Sequence, residues 1–472
     1  MIMDADLIII GGGLAGLTTA NRALELGLRP IVLEKGKEAD YACNSRYSGG
    51  LFHVAFKDVT KPVEDIEAAV KASGELIPPH PGSDNVQSIM SEDAAKALAW
   101  LRQERGKFIK GGQPEFMRWM LAPPRPRGAG LDWKGRGPDV LLRRLTEALQ
   151  KAQAAPRLGW RATEPIIENN CLSGVIADGP NGKETIRAPA VVIADGGFQA
   201  NMELMQHYIS PKPEALLQRG GGTGMGDGLR IAERAGAALI GLDSFYGHLL
   251  GRDAIQNPKL WPYPVVDTIA RSAILVDQAG QRFTDEGLGG VSMANAVARL
   301  ADPLSSVVIF DEETWTGVAA DNRYPPCMNP VYENAGGKVF SASSLDELAL
   351  ELGINADGLS HTVETWNDAV DTANFSNLSP QRSPQTFKPE PIRNPPFRAI
   401  PVIAGITYTM GGIAINRDAC ALSEVGDRIP GLYAVGSASG GIEGGKSSAY
   451  IGGLAKAVIT GLRAAESIAK ER

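Results

Sequence analysis

Three glycines and one carboxylate near the start of the chain set the first chemistry. Gly11, Gly13 and Gly16 fall in a GxGxxG spacing between a short apolar run, Asp6 to Ile10, and a helical stretch from Leu14 to about Leu26. The first glycine permits a tight turn and the second lets the backbone approach a pyrophosphate. The third allows close helix–strand packing, and the helix N-terminus favours phosphate charge. Leu14 and Ala15 open that helix and join the expected binding set. Gly27 stops the helix, Ile31-Val32-Leu33 forms a second strand, and Glu34 ends it, followed by Lys35. An acid about twenty residues beyond the glycines accepts hydrogen bonds from a ribose hydroxyl and disfavours a 2′-phosphate. A lone GxGxxG also occurs as an ordinary glycine-rich turn. Here strand, glycines, helix, strand and acid arrive in order, which predicts a dinucleotide site.

These residues need a compact βαβ start to hold them. Further along, Gly74 to Asp84 reads as a loop, Asp93 to Arg105 as an amphipathic helix, Pro123 to Gly137 as a surface loop and Val140 to Gln153 as a helix. Ile166 to Ile186 alternates apolar runs with turn signals at Asp178-Gly179 and Asn181-Gly182, suggesting β hairpins. Val191-Val192-Ile193 is a buried strand. From about Phe245 the patterning becomes irregular, with helices near Leu345 to Leu352 and His361 to Asp371 and a Pro-rich connector from Pro380 to Pro396. Strand–glycine–helix patterning returns at Gly431 to Gly436, with a last helix from Leu454 to Ile468. The expected fold is α/β. A discontinuous Rossmann-like nucleotide-binding domain (1–244 and 390–472) carries an inserted α+β domain (245–389).

The chain has 472 residues, 43% hydrophobic and 21% charged, the balance of a globular protein with a sizeable core. Its net charge of -7 and lack of a long basic run exclude the electrostatic footprint of a nucleic-acid binder. Cys43, Cys171, Cys327 and Cys420 are scattered, with no CxxC pair and no histidines at ligand spacing, so neither a metal site nor a disulfide framework is expected. Sparse cysteines and no secretory leader suit the cytoplasm. No apolar run reaches about 18 residues, so no membrane span is expected.

Later motifs narrow the cofactor. Asn44-Ser45-Arg46-Tyr47-Ser48-Gly49-Gly50, Ala194-Asp195-Gly196-Gly197-Phe198 and Gly431-Leu432-Tyr433-Ala434-Val435-Gly436-Ser437 with Gly440-Gly441 follow in order. Gly224-Met225-Gly226-Asp227-Gly228, Gln281-Arg282-Phe283-Thr284-Asp285-Glu286 and Thr409-Met410-Gly411-Gly412 accompany them. Together they resemble the fumarate reductase/succinate dehydrogenase flavoprotein superfamily, in the branch of the 3-ketosteroid Δ1-dehydrogenases and tricarballylate dehydrogenases. The resemblance implies FAD, a capping domain over the flavin, a small-molecule substrate between them and hydride movement between flavin N5 and a substrate carbon. It places Ser45, Ser48, Gly49, Gly50, Ala194, Gly196, Gly197, Asp227, Gly436 and Ser437 in the FAD site. Members with histidine-linked FAD carry that histidine where this chain has Cys43, so noncovalent FAD is expected. With no ferredoxin-type cysteine run, electrons must leave to a separate acceptor.

The substrate end departs from the fumarate pattern. His248 matches the family's first dicarboxylate-binding histidine. The Thr-Glu pair falls near Val265-Val266, the proton-donor arginine at Gly290, the second histidine at Thr407 and the final arginine near Ser447. Without two arginines a dicarboxylate lacks its bidentate clamp. The steroid enzymes' base tyrosine also aligns near Gly290. Tyr408 and Tyr450 remain as candidates for base and carbonyl polariser, His248 for a substrate contact, and Lys446 as a partner for a substrate carboxylate or the flavin. Each also has an ordinary reading: a packed tyrosine, a satisfied core histidine, a solvated lysine. Tyr246, Trp261 and Tyr263 are candidates to line the cap, and Arg46 and Arg271 read as structural. His53, His80, His207 and His361 join no constellation. The leading expectation is an FAD-dependent desaturase forming a C=C bond beside a carbonyl in a small cyclic ketone, oxo acid (an oxocyclohexanecarboxylate, for example) or steroid-like ketone. The alternatives are an ene-reductase of an unsaturated carboxylate and a non-catalytic flavin-binding subunit.

Overall fold

The computed structural model describes residues 3–74, 77–103, 105–323, 326–383 and 387–472. Parts of the expected 74–84 loop, of the expected 93–105 helix and of the 380–396 connector lie outside the described residues. The chain opens with β1 (Leu7–Ile10), α1 (Leu14–Glu25) and β2 (Pro30–Glu34). Every residue of β1 is buried, as befits a parallel strand covered on both faces. A single turn, α2 (Asn44–Tyr47), and a longer helix, α3 (Gly137–Lys151), follow, and β3 (Arg157–Leu158) extends the first sheet.

An antiparallel meander comes next: β4 (Arg161–Glu168), β5 (Cys171–Gly179) and β6 (Gly182–Arg187). Its first reversal is at Asn169 and Asn170, both with left-handed backbone (φ 51 and 60), a conformation asparagine tolerates. Asp178-Gly179, expected as a turn, instead ends β5, and the second reversal passes over Pro180 and Asn181. The strand β7 (Val191–Ile193) then returns beside β1.

Later elements build a second sheet. They are β8 (Leu217–Gln218), α4 (Asp227–Arg234), β9 (Phe245–Gly251), α5 (Asp267–Ala270), β10 (Ile274–Val276), α6 (Gly290–Arg299), β11 (Val307–Phe310), β12 (Phe340–Ala342), α7 (Leu345–Leu352), α8 (Ala356–Thr372) and β13 (Phe397–Thr409). β13 is its spine, pairing in parallel with β8 and antiparallel with β9, β11 and β12. The middle region therefore shares its sheet with residues on either side of 245–389. A separate apolar cluster around Trp366 packs α7 and α8 onto this sheet. Finally β14 (Cys420–Leu422), β15 (Arg428–Ala434) and α9 (Gly453–Lys470) complete the first sheet and cover it beside α1.

The first sheet runs β14-β15-β7-β1-β2-β3, parallel throughout except β14 against β15. Four neighbouring strands thus deliver Gly11, Lys35, Ala194 and Gly436 from their carboxyl ends to one crevice, where open α/β sheets bind ligands. No described helix is long and apolar enough to cross a membrane.

Candidate active site

One cavity runs from this crevice to the underside of the second sheet. At the crevice, Gly11 has φ +108, and a Cβ there would lie 2.6 Å from the Ala194 carbonyl oxygen. A Cβ on Gly16 would lie 2.0 Å from the Gly11 oxygen, so Gly16 seats α1 on β1 and does not itself face the cavity. Gly11, Gly13, Leu14 and Ala15, at the N-terminal end of α1, line the cavity. Ser45 Oγ accepts the Leu14 N–H at 3.1 Å, drawing the 44–50 loop over the helix end. Glu34 takes the Gly12 N–H at 2.8 Å and the Gly36 N–H at 2.7 Å, and lines the cavity beside Lys35.

Ser48, Gly49, Gly50, Ala194, Gly196, Asp227, Gly436 and Ser437 also line it. Gly197 stands behind, where a Cβ would strike Thr409 Oγ1 at 2.1 Å. Arg161 grips Asp227 through two nitrogens, at 2.6 and 3.0 Å, tying the meander to the start of α4. Asp195 Oδ1 and Gln199 Oε1 are sealed from solvent with no hydrogen-bond partner among the described residues, and both residues line the cavity. Burial pushes the Asp195 carboxyl up to about 6. Glycine-cleared backbone, a helix N-terminus, a ribose-ready carboxylate and unpaired acceptors are the donor and acceptor set that FAD requires. Residues 11–15, Glu34, Ser45 and the 194–196 and 436–437 loops would hold it, and the fit is good. Cys43 caps α2 from the cavity wall, and burial pushes its thiol up to about 11, leaving it a poor nucleophile.

The far end of the cavity is aromatic. Tyr246, Tyr263, Tyr408 and Tyr450 line it with His53, Thr407 and Arg219. Tyr246 stacks on Tyr450 at 4.0 Å between ring centres and lies 5.4 Å from Tyr408. Tyr408 is committed: its hydroxyl faces Glu443 at 3.1 and 3.3 Å, and that buried carboxylate also accepts the Ile451 and Gly452 N–H groups and pairs with the buried Lys456 at 3.5 Å. Tyr450 accepts the Gly453 N–H at 3.1 Å, leaving its own proton available to a ligand. Tyr263 lies between two guanidiniums, Arg125 at 3.5 Å and Arg219 at 5.3 Å from its ring centre. Burial pushes its phenol up, but the two cations outweigh burial and hold it below the ordinary value.

His248 and Lys446, both expected at the site, fall outside the cavity wall. Lys446 is exposed on the surface, because the glycine-rich turn before it directs Glu443 inward instead. His248 stands directly behind Tyr246, bonded at 2.9 Å to its hydroxyl and at 2.5 Å to Asp267. Arg46 is structural, as expected, in a fully buried 2.7 Å pair with Asp139.

Three contributors were not anticipated. Arg219, 6% exposed, donates to Thr407 Oγ1 at 3.0 Å and the Pro262 carbonyl at 3.2 Å, while its Nε has no partner among the described residues. It fits because Gly405 opposite lacks a side chain; a Cβ there would lie 2.5 Å from Arg219 Cδ. Its one sequence signal is a lone charge at the head of Gly220-Gly221-Gly222. Glu443 shows similarly, as an acid inside an apolar glycine run. His53 joins the wall beside Tyr450, and burial pulls its imidazole down to about 4; nothing in its sequence context signals this.

Residues 6–449 match the family described as FAD binding domain. An NADH:fumarate oxidoreductase of Klebsiella pneumoniae is 27% identical over 98% of this chain, which spans about half (48%) of that relative's length. A vinyl phenol reductase of Lactiplantibacillus plantarum is 24% identical, over 93% of this chain and 90% of its own. Among solved structures, a 3-ketosteroid Δ1-dehydrogenase of Sterolibacterium denitrificans, in complex with 1,4-androstadiene-3,17-dione, superposes with a TM-score of 0.73 at 20% identity, covering 99% of this chain and 100% of its own. That likeness is one of fold.

Proposed function

The chain belongs to the FAD binding domain family, and from that premise we propose that it is an FAD-dependent desaturase forming a C=C bond beside the carbonyl of a small cyclic ketone bearing at most one carboxylate. One observation supports the reading: the substrate end holds four tyrosines and one lining arginine, Arg219, backed by Arg125 behind Tyr263, while the cavity's other described basic side chains, Lys35 and Arg161, are paired with Asp227 at the opposite end. A single arginine suits one carboxylate or one polarised oxygen, and phenols suit a ketone. Bound FAD supplies the acceptor for a hydride. Tyr450 and Tyr263 donate to the carbonyl oxygen, with the arginines beside Tyr263 strengthening its donation. Arg219 orients the carboxylate, and a tyrosine receives the α-proton. The 245–389 region is proposed as the cap that excludes water, and FAD is proposed to be noncovalent. The reverse reaction, reduction of an unsaturated acid, uses the same groups and is favoured by the likeness to the fumarate oxidoreductase, and the vinyl phenol reductase is likewise named for a reduction.

The test is anaerobic mixing of oxidised holoprotein with 4-oxocyclohexanecarboxylate, alone and with dichlorophenolindophenol. Bleaching of the flavin band and steady dye reduction support the desaturase. No bleaching, with reoxidation of dithionite-reduced protein by an unsaturated acid, supports the reductase. Arg219→Gln is expected to raise KM for the oxo acid by about ten- to a hundredfold, the worth of a charge-assisted hydrogen bond, with a smaller change in kcat.

A further inference from the structure

Behind Tyr246 lies a hydrogen-bonded line that ligand binding alone does not require. The Tyr246 hydroxyl meets His248 Nε2 at 2.9 Å, and His248 Nδ1 meets Asp267 Oδ2 at 2.5 Å. The other carboxylate oxygen of Asp267 accepts the Leu249 N–H at 2.7 Å, which fixes its orientation. Asp267 can stand there only because residue 290 is glycine. A Cβ at Gly290 would lie 1.8 Å from Asp267 Oδ2. On the opposite strand the residue facing His248 is Gly405, which brings no titratable group. With Nδ1–H donated to the carboxylate, Nε2 is left as an acceptor for the phenol's proton.

We propose that Tyr246 is the group that takes the substrate's α-proton, with His248 and Asp267 as positioning residues that receive the phenol's own proton. This rests on the desaturase reading and extends it. In the step, the α-C–H bond breaks and a new O–H bond forms on Tyr246. The original Tyr246 O–H proton passes to His248 Nε2, giving an imidazolium held by the Asp267 carboxylate. The C–H electrons become the new C=C bond as the β-hydride departs to the bound FAD. Two hydrogens leave the ketone, one as a proton that stays on Tyr246, whose own proton rests on His248, and one as a hydride.

The surroundings favour the resting arrangement. Burial holds the His248 imidazole below its ordinary 6.5; Asp267 pulls the other way, and Arg219 adds to the depression. Burial also keeps the Tyr246 phenol protonated; Arg219 opposes this, and Tyr263, Asp267 and Glu443 reinforce it. Tyr408 also lies beside Tyr246 but is bonded to Glu443, and Tyr263 faces two permanent cations that accept no proton.

Two measurements decide it. The first needs no substrate: nitrogen-15 imidazole NMR of holoprotein labelled at its histidines. The expected result is one far-downfield Nδ1–H resonance, lost in Asp267→Asn and Gly290→Ala and shifted in Tyr246→Phe. An Nε2–H tautomer for His248 would overturn the proposal. The second is the rate of flavin bleaching by 4-oxocyclohexanecarboxylate against pH. The wild-type rate should fall on the acid side as His248 protonates. Tyr246→Phe and His248→Gln should slow bleaching by about a hundredfold or more, the scale of general-base catalysis, with ligand affinity unchanged and, in His248→Gln, the acid limb gone. His248→Gln with an unaltered acid limb, or loss of bleaching in Tyr263→Phe but not Tyr246→Phe, would overturn it. If the ketone does not bleach the wild type, the desaturase reading fails, and the tautomer and its dependence on Asp267 judge the relay alone.

Discussion

Glu443 and Lys456 show what single side chains cost and secure in the site wall. Both are fully buried, and among the described residues Lys456 Nζ has only the Ser439 carbonyl, at 2.9 Å, besides the carboxylate. Glu443→Ala strands a buried ammonium and is expected to destabilise the protein by about 3–5 kcal/mol, whereas removing both charges with Leu at each position should cost clearly less than the two single changes summed. Urea denaturation of the four proteins checks this. Asp195 offers a pH-dependent case. Its carboxyl is raised from an ordinary 3.8 to about 6, so it binds its proton more tightly folded than unfolded. Stability from this group is present below about 4 and is lost as pH rises through 6. Asp195→Asn should therefore raise the apoprotein's denaturation midpoint at pH 8, with the advantage shrinking as pH falls below 6 and gone only below about 4.

Secondary-structure elements explain why one end of the site was legible in the sequence and the other was not. The FAD end uses backbone, and local spacing of glycines encodes backbone shape; hence Gly11, Gly13, Glu34, Ala194 and Gly436 arrive where their motifs place them. The substrate end is assembled from side chains on separate segments: Arg219 after β8, Tyr246 on β9, Tyr263 before α5, Tyr408 on β13 and Tyr450 before α9. No spacing rule links them. His248 was singled out, yet its surroundings depend on Asp267 nineteen residues away and on the missing side chain of Gly290. Lys446 was misplaced for the same reason, since the turn's direction, not its composition, decides which charge points inward. The packing of α1 on β1 gives an element-scale prediction. Gly16→Ala puts a methyl 2.0 Å from the Gly11 oxygen, so purified protein should carry little flavin, read as a collapsed ratio of absorbance near 450 nm to that at 280 nm.

For the whole molecule, FAD held in this cavity would be part of the core rather than an accessory. The cavity separates the two sheets, and its walls come from residues 10 through 457. Ligand binding at that position stabilises the folded state by mass action, about 2.7 kcal/mol at a hundredfold excess over Kd. Added FAD should raise the melting temperature of stripped protein in a concentration-dependent manner. Acid precipitation should release the yellow colour to the supernatant; a yellow pellet would mean covalent attachment and contradict the buried, neutral Cys43.

The spine strand β13 has a kinetic corollary. It pairs with residues as distant as Leu217, and β14 and β15, just beyond it, are the last strands of the other sheet. Neither sheet can close until β13, β14 and β15 have been synthesised. Such non-local closure slows folding and leaves unpaired edges exposed while the ribosome is still working. Until those strands emerge, the nascent chain has its first glycine turn made and its walls unfinished. Cofactor capture consequently waits for these strands, and a chain stopped before residue 397 would lack Tyr408, Glu443, Tyr450 and the strands on which both sheets depend.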